Sequence, residues 1–244
     1  MSPSLQGCLL AALLAAGCAG PEPQPVRAQP APASRPVEAG PRTRPSEQGP
    51  SYVRLGPKAI SALEAGIGKQ IPLSLVARDL KGGQRTLASL LRERRALIVV
   101  FTCTGCPVTR AYAPLLEGLA RSWRKAGAAV LAIDPALPDS EVRLRPWVTQ
   151  QGWTFPVARD PDYAWSDALG ARGTADAFLL DATGKLRYRG PIDDRIGINY
   201  QLKKPRREHL SEALRALLAG KTFAQPAWSA PGCRLTRIRL EEED

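Results

Sequence analysis

An α/β fold with a mixed central sheet flanked by helices is the architecture this 244-residue sequence predicts. Three observations carry it. Residues 96–101, ALIVVF, are a continuous apolar run rich in β-branched side chains, the pattern of a strand buried on both faces. Other short apolar runs alternate with helical patterns, as strands joined by helical crossovers do. The series closes with a hairpin and an amphipathic helix, which makes the sheet mixed rather than purely parallel.

The chain opens without a charge. Residues 1–17 carry no ionisable side chain except Cys8, and the apolar run Leu9–Ala16 is far too short to span a bilayer. LLAAGC, ending at Cys18, resembles a lipoprotein signal whose cysteine becomes the lipid-bearing N-terminus. A plain cleaved signal competes with that reading, because no Lys or Arg precedes the apolar run. Residues 1–17 are therefore expected to be a signal peptide. Residues 18–50 follow as a Pro/Ala-rich disordered tether: nine of the 23 prolines fall there with almost no large apolar group, too little to offset ordering entropy. Such a segment would hold a domain off a membrane surface. Residues 51–65 are an N-terminal extension with a modest amphipathic stretch, KAISALEAG.

The folded domain is expected over residues 66–221. Leu73–Arg78 and the Gly82-Gly83 turn predict a short hairpin, with a helical turn at Leu87–Leu91. After the ALIVVF strand, Pro107 stands where a helix tolerates proline best, and a helical pattern runs to Ala126 with Ala111, Leu115, Leu119 and Trp123 on its apolar side. Ala128–Ile133 is a second buried strand, ended by Asp134-Pro135. Asp139 or Ser140 can cap a helix through Gln151. Phe155–Val157, with Pro156 inside it, reads as an edge strand. Ala164–Leu169 is a short helix, Ala177–Asp181 and Lys185–Arg189 are the closing hairpin, and Arg206–Ala219 is the last helix. Residues 222–244 form a C-terminal tail in which Pro226, Pro231 and Gly232 rule out regular helix. That tail is expected to lie over the domain, with Leu235, Ile238 and Leu240 available for a short edge strand.

The net charge is +11, densest in KKPRREH, Lys203 to His209. Without interleaved aromatics or a recognised motif that cluster reads as a solvated helix start with weak attraction to an anionic membrane surface, and no nucleic-acid partner is expected. His209 is the sole histidine and reads as an exposed helix residue, which leaves little support for a histidine triad or zinc protease. No Walker loop or dinucleotide fingerprint is present.

Chemistry gathers at the end of the ALIVVF strand, in FTCTGCP. Cys106 falls at or beside the N-cap of the helix, where unpaired N–H groups and the helix dipole favour the thiolate, the nucleophilic form. Cys103 is its partner, in the loop. Of the five cysteines, Cys8 leaves with the signal and Cys18, if lipidated, has no free thiol. That leaves Cys103, Cys106 and Cys233, too few and too scattered for a disulfide scaffold. Cys233, in APGCRL, is a possible third redox thiol that resolves a disulfide on Cys106, provided the tail reaches the active-site end of the sheet.

Strand, paired cysteines, helix, and Pro114 inside that helix resemble the thioredoxin fold in its redoxin (AhpC/TSA-like) branch. The resemblance runs from about Gly66 to Lys221 through GKQIPLSLVARDLKGGQRTLASLL, GARGTADAFLLDATGKLRYRGPIDDR and LRALLAGK. It implies a thiol–disulfide oxidoreductase without metal or cofactor, with Cys106 and Cys103 as the catalytic pair. Three departures qualify the carry-over. The second thioredoxin cysteine would fall at Thr109, and here the partner lies upstream. The loop that carries a cis-proline in thioredoxins reads Gly173-Thr174-Ala175, so Thr174 and Ala175 would face Cys106, with a trans peptide and an altered groove. Peroxiredoxins require a threonine and a proline at the places of Cys103 and Val99, and Arg172 is out of register for the family's arginine. The implied partners are protein or small-molecule disulfides and thiols, met on the periplasmic side of a bacterial cell envelope by a lipid-anchored protein. The alternatives are a copper-binding redoxin-like module, in which thiolates hold the metal with a histidine, and a thiol peroxidase.

Overall fold

The computed structural model describes residues 56–135 and 141–235. The signal, the tether, residues 51–55 of the extension, the lipidation site at Cys18, the caps at Asp139 and Ser140, and Ile238 and Leu240 lie outside the described residues.

Seven strands form the main sheet: β1 (Val76–Asp79), β2 (Gln84–Thr86), β3 (Ala96–Phe101), β4 (Ala128–Asp134), β5 (Val157–Arg159), β6 (Ala177–Asp181) and β7 (Leu186–Gly190). Their order is β2-β1-β5-β4-β3-β6-β7. β3, β4 and β5 run parallel, while β1, β6 and β7 pair antiparallel with their neighbours, so the sheet is mixed. The helices are α1 (Leu87–Leu91), α2 (Pro107–Lys125), α3 (Glu141–Gln150), α4 (Ala164–Leu169) and α5 (His209–Leu218). A small ribbon, β8 (Ile196–Gly197) with β9 (Tyr200–Gln201), turns through Asn199 at positive φ. Asparagine is among the residues that tolerate that conformation best.

β3 divides its side chains between two cores. Ile98 and Val100 pack with Tyr112, Leu116 and Trp123 of α2 and with Leu210 and Leu214 of α5. Leu97, Val99 and Phe101 pack on the other face with Leu87 and Leu91 of α1 and with Trp165 and Leu169 of α4. Each of these large side chains stabilises the fold by roughly 1.5–3 kcal/mol through burial alone. β3 is thus held from both faces, and whatever its C-terminal end carries is held with it.

Three expectations change. β5 is not an edge strand, because it lies between β1 and β4. Pro156 precedes it and its carbonyl accepts from Ala132 N–H at 3.0 Å, so the missing donor falls outside the ladder. The buried stripe of α2 is Tyr112, Ala113, Leu116, Ala120 and Trp123, with Ala111 and Leu119 only partly covered. Tyr112 can face inward because its hydroxyl meets Asp193 Oδ1 at 2.5 Å. His209 is buried, not exposed: it opens α5, and its ring stands edge-on against Trp228 at a centroid distance of 4.5 Å. The basic run Lys203–Arg207 precedes the helix, with Arg206 and Arg207 N–H groups donating to Asp194.

The tail does cross the domain. Trp228 N–H donates to Arg189 O at 2.9 Å and Ile60 N–H to Ala227 O at 3.1 Å, so the tail lies between β7 and the extension.

Candidate active site

β3 ends at Phe101, and Thr102 N–H still donates to Ile133 O at 2.8 Å, carrying the strand's direction into the loop. Cys106 is the N-cap of α2, with extended backbone at φ −84° and ψ 124°, and Pro107 follows where its missing N–H is not needed. Arg110 N–H to Cys106 O, 3.0 Å, is the first helical bond. The buried Thr109 hydroxyl lies 2.6 Å from Cys103 O and 3.1 Å from Cys106 O, so it latches both cysteine-bearing residues to the first turn. Thr109 occupies the place the thioredoxin resemblance assigns to a second cysteine. Here it is a clamp, a role that its identity as a threonine did not disclose.

The two thiols share one proton between unequal sites. Cys103 donates to the Cys106 sulfur, which together with burial pushes Cys103 well above the ordinary thiol range. The same bond, against the opposing effect of burial, holds Cys106 far below it. The Thr174 hydroxyl, the Thr109 backbone amide and the Cys233 thiol add to the lowering. The helix N-terminus therefore contributes through the Thr109 amide, without a regular cap bond, and Cys103 contributes most. Cys106 is fully buried and Cys103 nearly so.

The facing loop is tied to the end of β3. Ala175 N–H donates to Phe101 O at 2.8 Å and Phe101 N–H to Asp176 O at 2.9 Å. Ala175 adopts φ +76°, the third position of a Gly173–Asp176 turn that glycine usually fills. Below it the buried Asp176 carboxylate accepts Arg172 N–H at 2.8 Å and Gly173 N–H at 3.3 Å and faces Arg189 at 3.5 Å. Burial pushes Asp176 up and Arg189 down, so each depends on the other and on those amides to stay charged. Sequence reading missed this pair, whose members stand 13 residues apart on a loop and a strand.

The tail completes the site. Thr174 N–H donates to Cys233 O at 2.9 Å, Cys233 N–H donates to the Thr174 hydroxyl at 3.2 Å, and Leu235 N–H donates to Arg172 O at 3.0 Å. Gly173 and Arg234 form an antiparallel bridge. Gly232 lies so close that a Cβ there would stand 1.7 Å from Thr174 O. The structure thus brings Cys103, Cys106, Thr174, Ala175 and Cys233 together. The expectation on Cys18 lies outside the described residues.

A profile of the AhpC/TSA family matches residues 67–189, from just before the first hairpin to the last residues of β7. The chain belongs to the AhpC/TSA family. The thiol–disulfide oxidoreductase ResA of Bacillus anthracis is 27% identical over 120 residues, a match taking in 49% of this chain and 66% of the relative, just under two thirds of its length. A hypothetical protein of Sinorhizobium meliloti is 29% identical to this AhpC/TSA protein with TM-score 0.62, covering 73% of this chain and 96% of the other. A thioredoxin-like fold is shown as well by a putative thioredoxin from Neisseria meningitidis, 19% identical with TM-score 0.50 over 62% of this chain and 91% of that one. Cys233 lies beyond the stretch that matches the AhpC/TSA profile.

Arg172, out of register for a peroxiredoxin arginine, pairs with Glu64 at 3.0 Å. Among the described residues no three His, Cys, Asp or Glu side chains are grouped to hold a metal ion, and no helix is long and apolar enough to cross a membrane. A cavity of about 420 Å³ opens at the opposite end of the sheet, beside Ala128 and Trp153, and no cysteine lines it.

Proposed function

We propose that this chain is an exported, membrane-anchored thiol–disulfide oxidoreductase that cycles Cys103 and Cys106 between dithiol and disulfide. The observation that carries the reading is the placement of the pair: Cys106 is the N-cap of α2, and the Thr109 hydroxyl, 2.6 Å from Cys103 O and 3.1 Å from Cys106 O, holds both cysteine-bearing residues at the head of the helix. The direction of the two shifts, Cys106 down and Cys103 up, makes Cys106 the thiolate and Cys103 the protonated partner. Cys106 is the sulfur that exchanges. Its thiolate attacks the sulfur of a disulfide presented to it at the head of α2, the other sulfur departs with the electron pair, and Cys106 is left in a new disulfide. Cys103 then loses its proton and attacks Cys106 Sγ, closing the Cys103–Cys106 bond and releasing the second sulfur as a thiol. The reverse sequence oxidises a dithiol.

The partners are protein or small-molecule disulfides and thiols. LLAAGC before Cys18 supports a lipid on that cysteine, and the proline-rich stretch supports a tether on the periplasmic side of a bacterial envelope. The thiol–disulfide oxidoreductase ResA among the relatives supports the reaction class.

The test is the reduction potential of the purified protein, with peptide mapping of the oxidised form. A Cys103–Cys106 disulfide and loss of exchange in both Cys103→Ser and Cys106→Ser are expected. Two thiols that stay reduced under an oxidising glutathione buffer would refute the reading. Intact mass after expression with its own leader checks the anchor: a diacylglyceryl addition at Cys18 is expected, and a bare N-terminus there would remove it.

A further inference from the structure

Cys106, the sulfur with the strongest thiolate character, is the one no partner can touch. It is 0% exposed and Cys103 is 4% exposed, whereas Cys233 is exposed. The strap that carries Cys233 is the cover. Its backbone is bonded to Arg172 and Thr174, it bridges Gly173 through Arg234, and Gly232 brings it to the Thr174 carbonyl as closely as a chain without a side chain can come.

A cover alone would not need a thiol at its point of contact. Here the residue after Gly232 places its sulfur against Cys106 on one side and open to solvent on the other. Resting on the reading of Cys103 and Cys106 as the redox couple, we infer that Cys233 is the outer thiol of the site: partner cysteines exchange at Cys233, and Cys106 exchanges with Cys233 inside the protein.

The steps conserve atoms and electrons. Starting from the Cys103–Cys106 disulfide, Cys233 gives up its proton and its sulfur attacks Cys106 Sγ. The Cys103–Cys106 bond breaks, its electron pair goes to Cys103, and Cys103 takes up a proton. One disulfide has been exchanged for another, Cys106–Cys233, without an outside oxidant. A thiolate of a protein dithiol then attacks Cys233 Sγ from solvent. Cys106 leaves with the electron pair, and its depressed pKa makes it a good leaving group. The partner's second thiol attacks its own mixed-disulfide sulfur, Cys233 departs and is protonated, and the partner carries the disulfide away. Run backwards, the same steps reduce a partner disulfide.

Burial raises the reduced Cys233 thiol, and its bond to Cys106 adds to that, so in the resting dithiol state it is a proton donor rather than a competing nucleophile. Cys233 attacks only once Cys106 is in a disulfide and no longer holds that proton in place.

The experiment uses the full chain with Cys8→Ser and Cys18→Ser, so that three thiols remain. The Cys103→Ala variant is oxidised mildly and mixed with a peptide carrying one free cysteine; the quenched mixed disulfide is mapped by mass spectrometry. The peptide is expected on Cys233. In parallel, oxidised Cys233→Ser, shown to hold the Cys103–Cys106 bond, is expected to oxidise a reduced dithiol peptide many-fold more slowly than the three-thiol chain. A peptide found on Cys106, or a Cys233→Ser chain that exchanges as fast or faster, overturns the relay and leaves the strap as a simple cover. Failure of the three-thiol chain itself to form Cys103–Cys106 is a different result, and it removes the proposed function together with the relay.

Discussion

Thr174 and Cys233 bind one another twice across 59 residues of sequence, the Thr174 N–H to the Cys233 carbonyl at 2.9 Å and the Cys233 N–H to the Thr174 hydroxyl at 3.2 Å. This contact decides that the tail belongs to the active site, and it rests on a glycine. In Gly232→Ala the new Cβ would collide with Thr174 O at 1.7 Å, and backbone cannot yield as a side chain can. The strap should undock, at a cost of about 1–3 kcal/mol of stability. Alkylation of Cys106 by iodoacetamide, followed by mass spectrometry, should become faster. An unchanged rate would mean that the strap does not govern access.

Ala175 reverses an expectation. By resemblance, proline at this place would move the protein toward thioredoxin behaviour. Yet φ is +76° and the Ala175 N–H donates to Phe101 O, and proline supplies neither that dihedral nor that donor. Ala175→Pro should destabilise the domain by about 3 kcal/mol or more. Ala175→Gly should instead stabilise it by up to about 1 kcal/mol, since a left-handed conformation strains alanine more than glycine's extra chain entropy costs. Chemical denaturation of the two variants checks both signs.

Cys106 should alkylate at a rate that is nearly flat from neutral pH down to distinctly acid pH, because its thiolate persists there. Cys103→Ser weakens the largest lowering contribution and should move the inflection toward the free-thiol value of about 8.5. Changing Thr174 to Val should move it less, since that hydroxyl ranks behind Cys103. If Cys103→Ser leaves the profile in place, the helix N-terminus and not the neighbouring thiol sets the acidity.

The same proton affects stability. Cys106 is depressed in the folded dithiol form, so from its folded pKa up to the unfolded thiol value the unfolded chain holds more protons, and stability rises with pH. Above about 8.5 the unfolded chain loses both protons while Cys103, raised, keeps its own, and stability falls again. Denaturation of the reduced protein should therefore show an extra gain between acid and mildly alkaline pH that Cys106→Ser lacks. Parallel pH curves for the two proteins would contradict the assignment.

What was legible in the sequence is what local pattern determines. The six apolar letters of β3, Pro107 at the head of α2, the Gly82-Gly83 turn and the Ala-Thr-Gly turn each specify their element from neighbouring residues, and Cys106 at a helix start follows from the first two. The AhpC/TSA family could be recognised on those same stretches. Only tertiary structure decided the rest. It placed β5 inside the sheet, turned Tyr112 and His209 inward, paired Asp176 with Arg189, and laid Cys233 against Cys106. These relationships join residues between 13 and well over a hundred positions apart, and none leaves a periodicity. A strand's sidedness is written in its own side chains, whereas the burial of a polar group depends on a partner that the chain supplies from elsewhere. That is why the thiol at the start of α2 and a tail lying over the domain were readable, whereas the docking of that tail at Thr174, with Cys233 beside Cys106, was decided only by the tertiary structure.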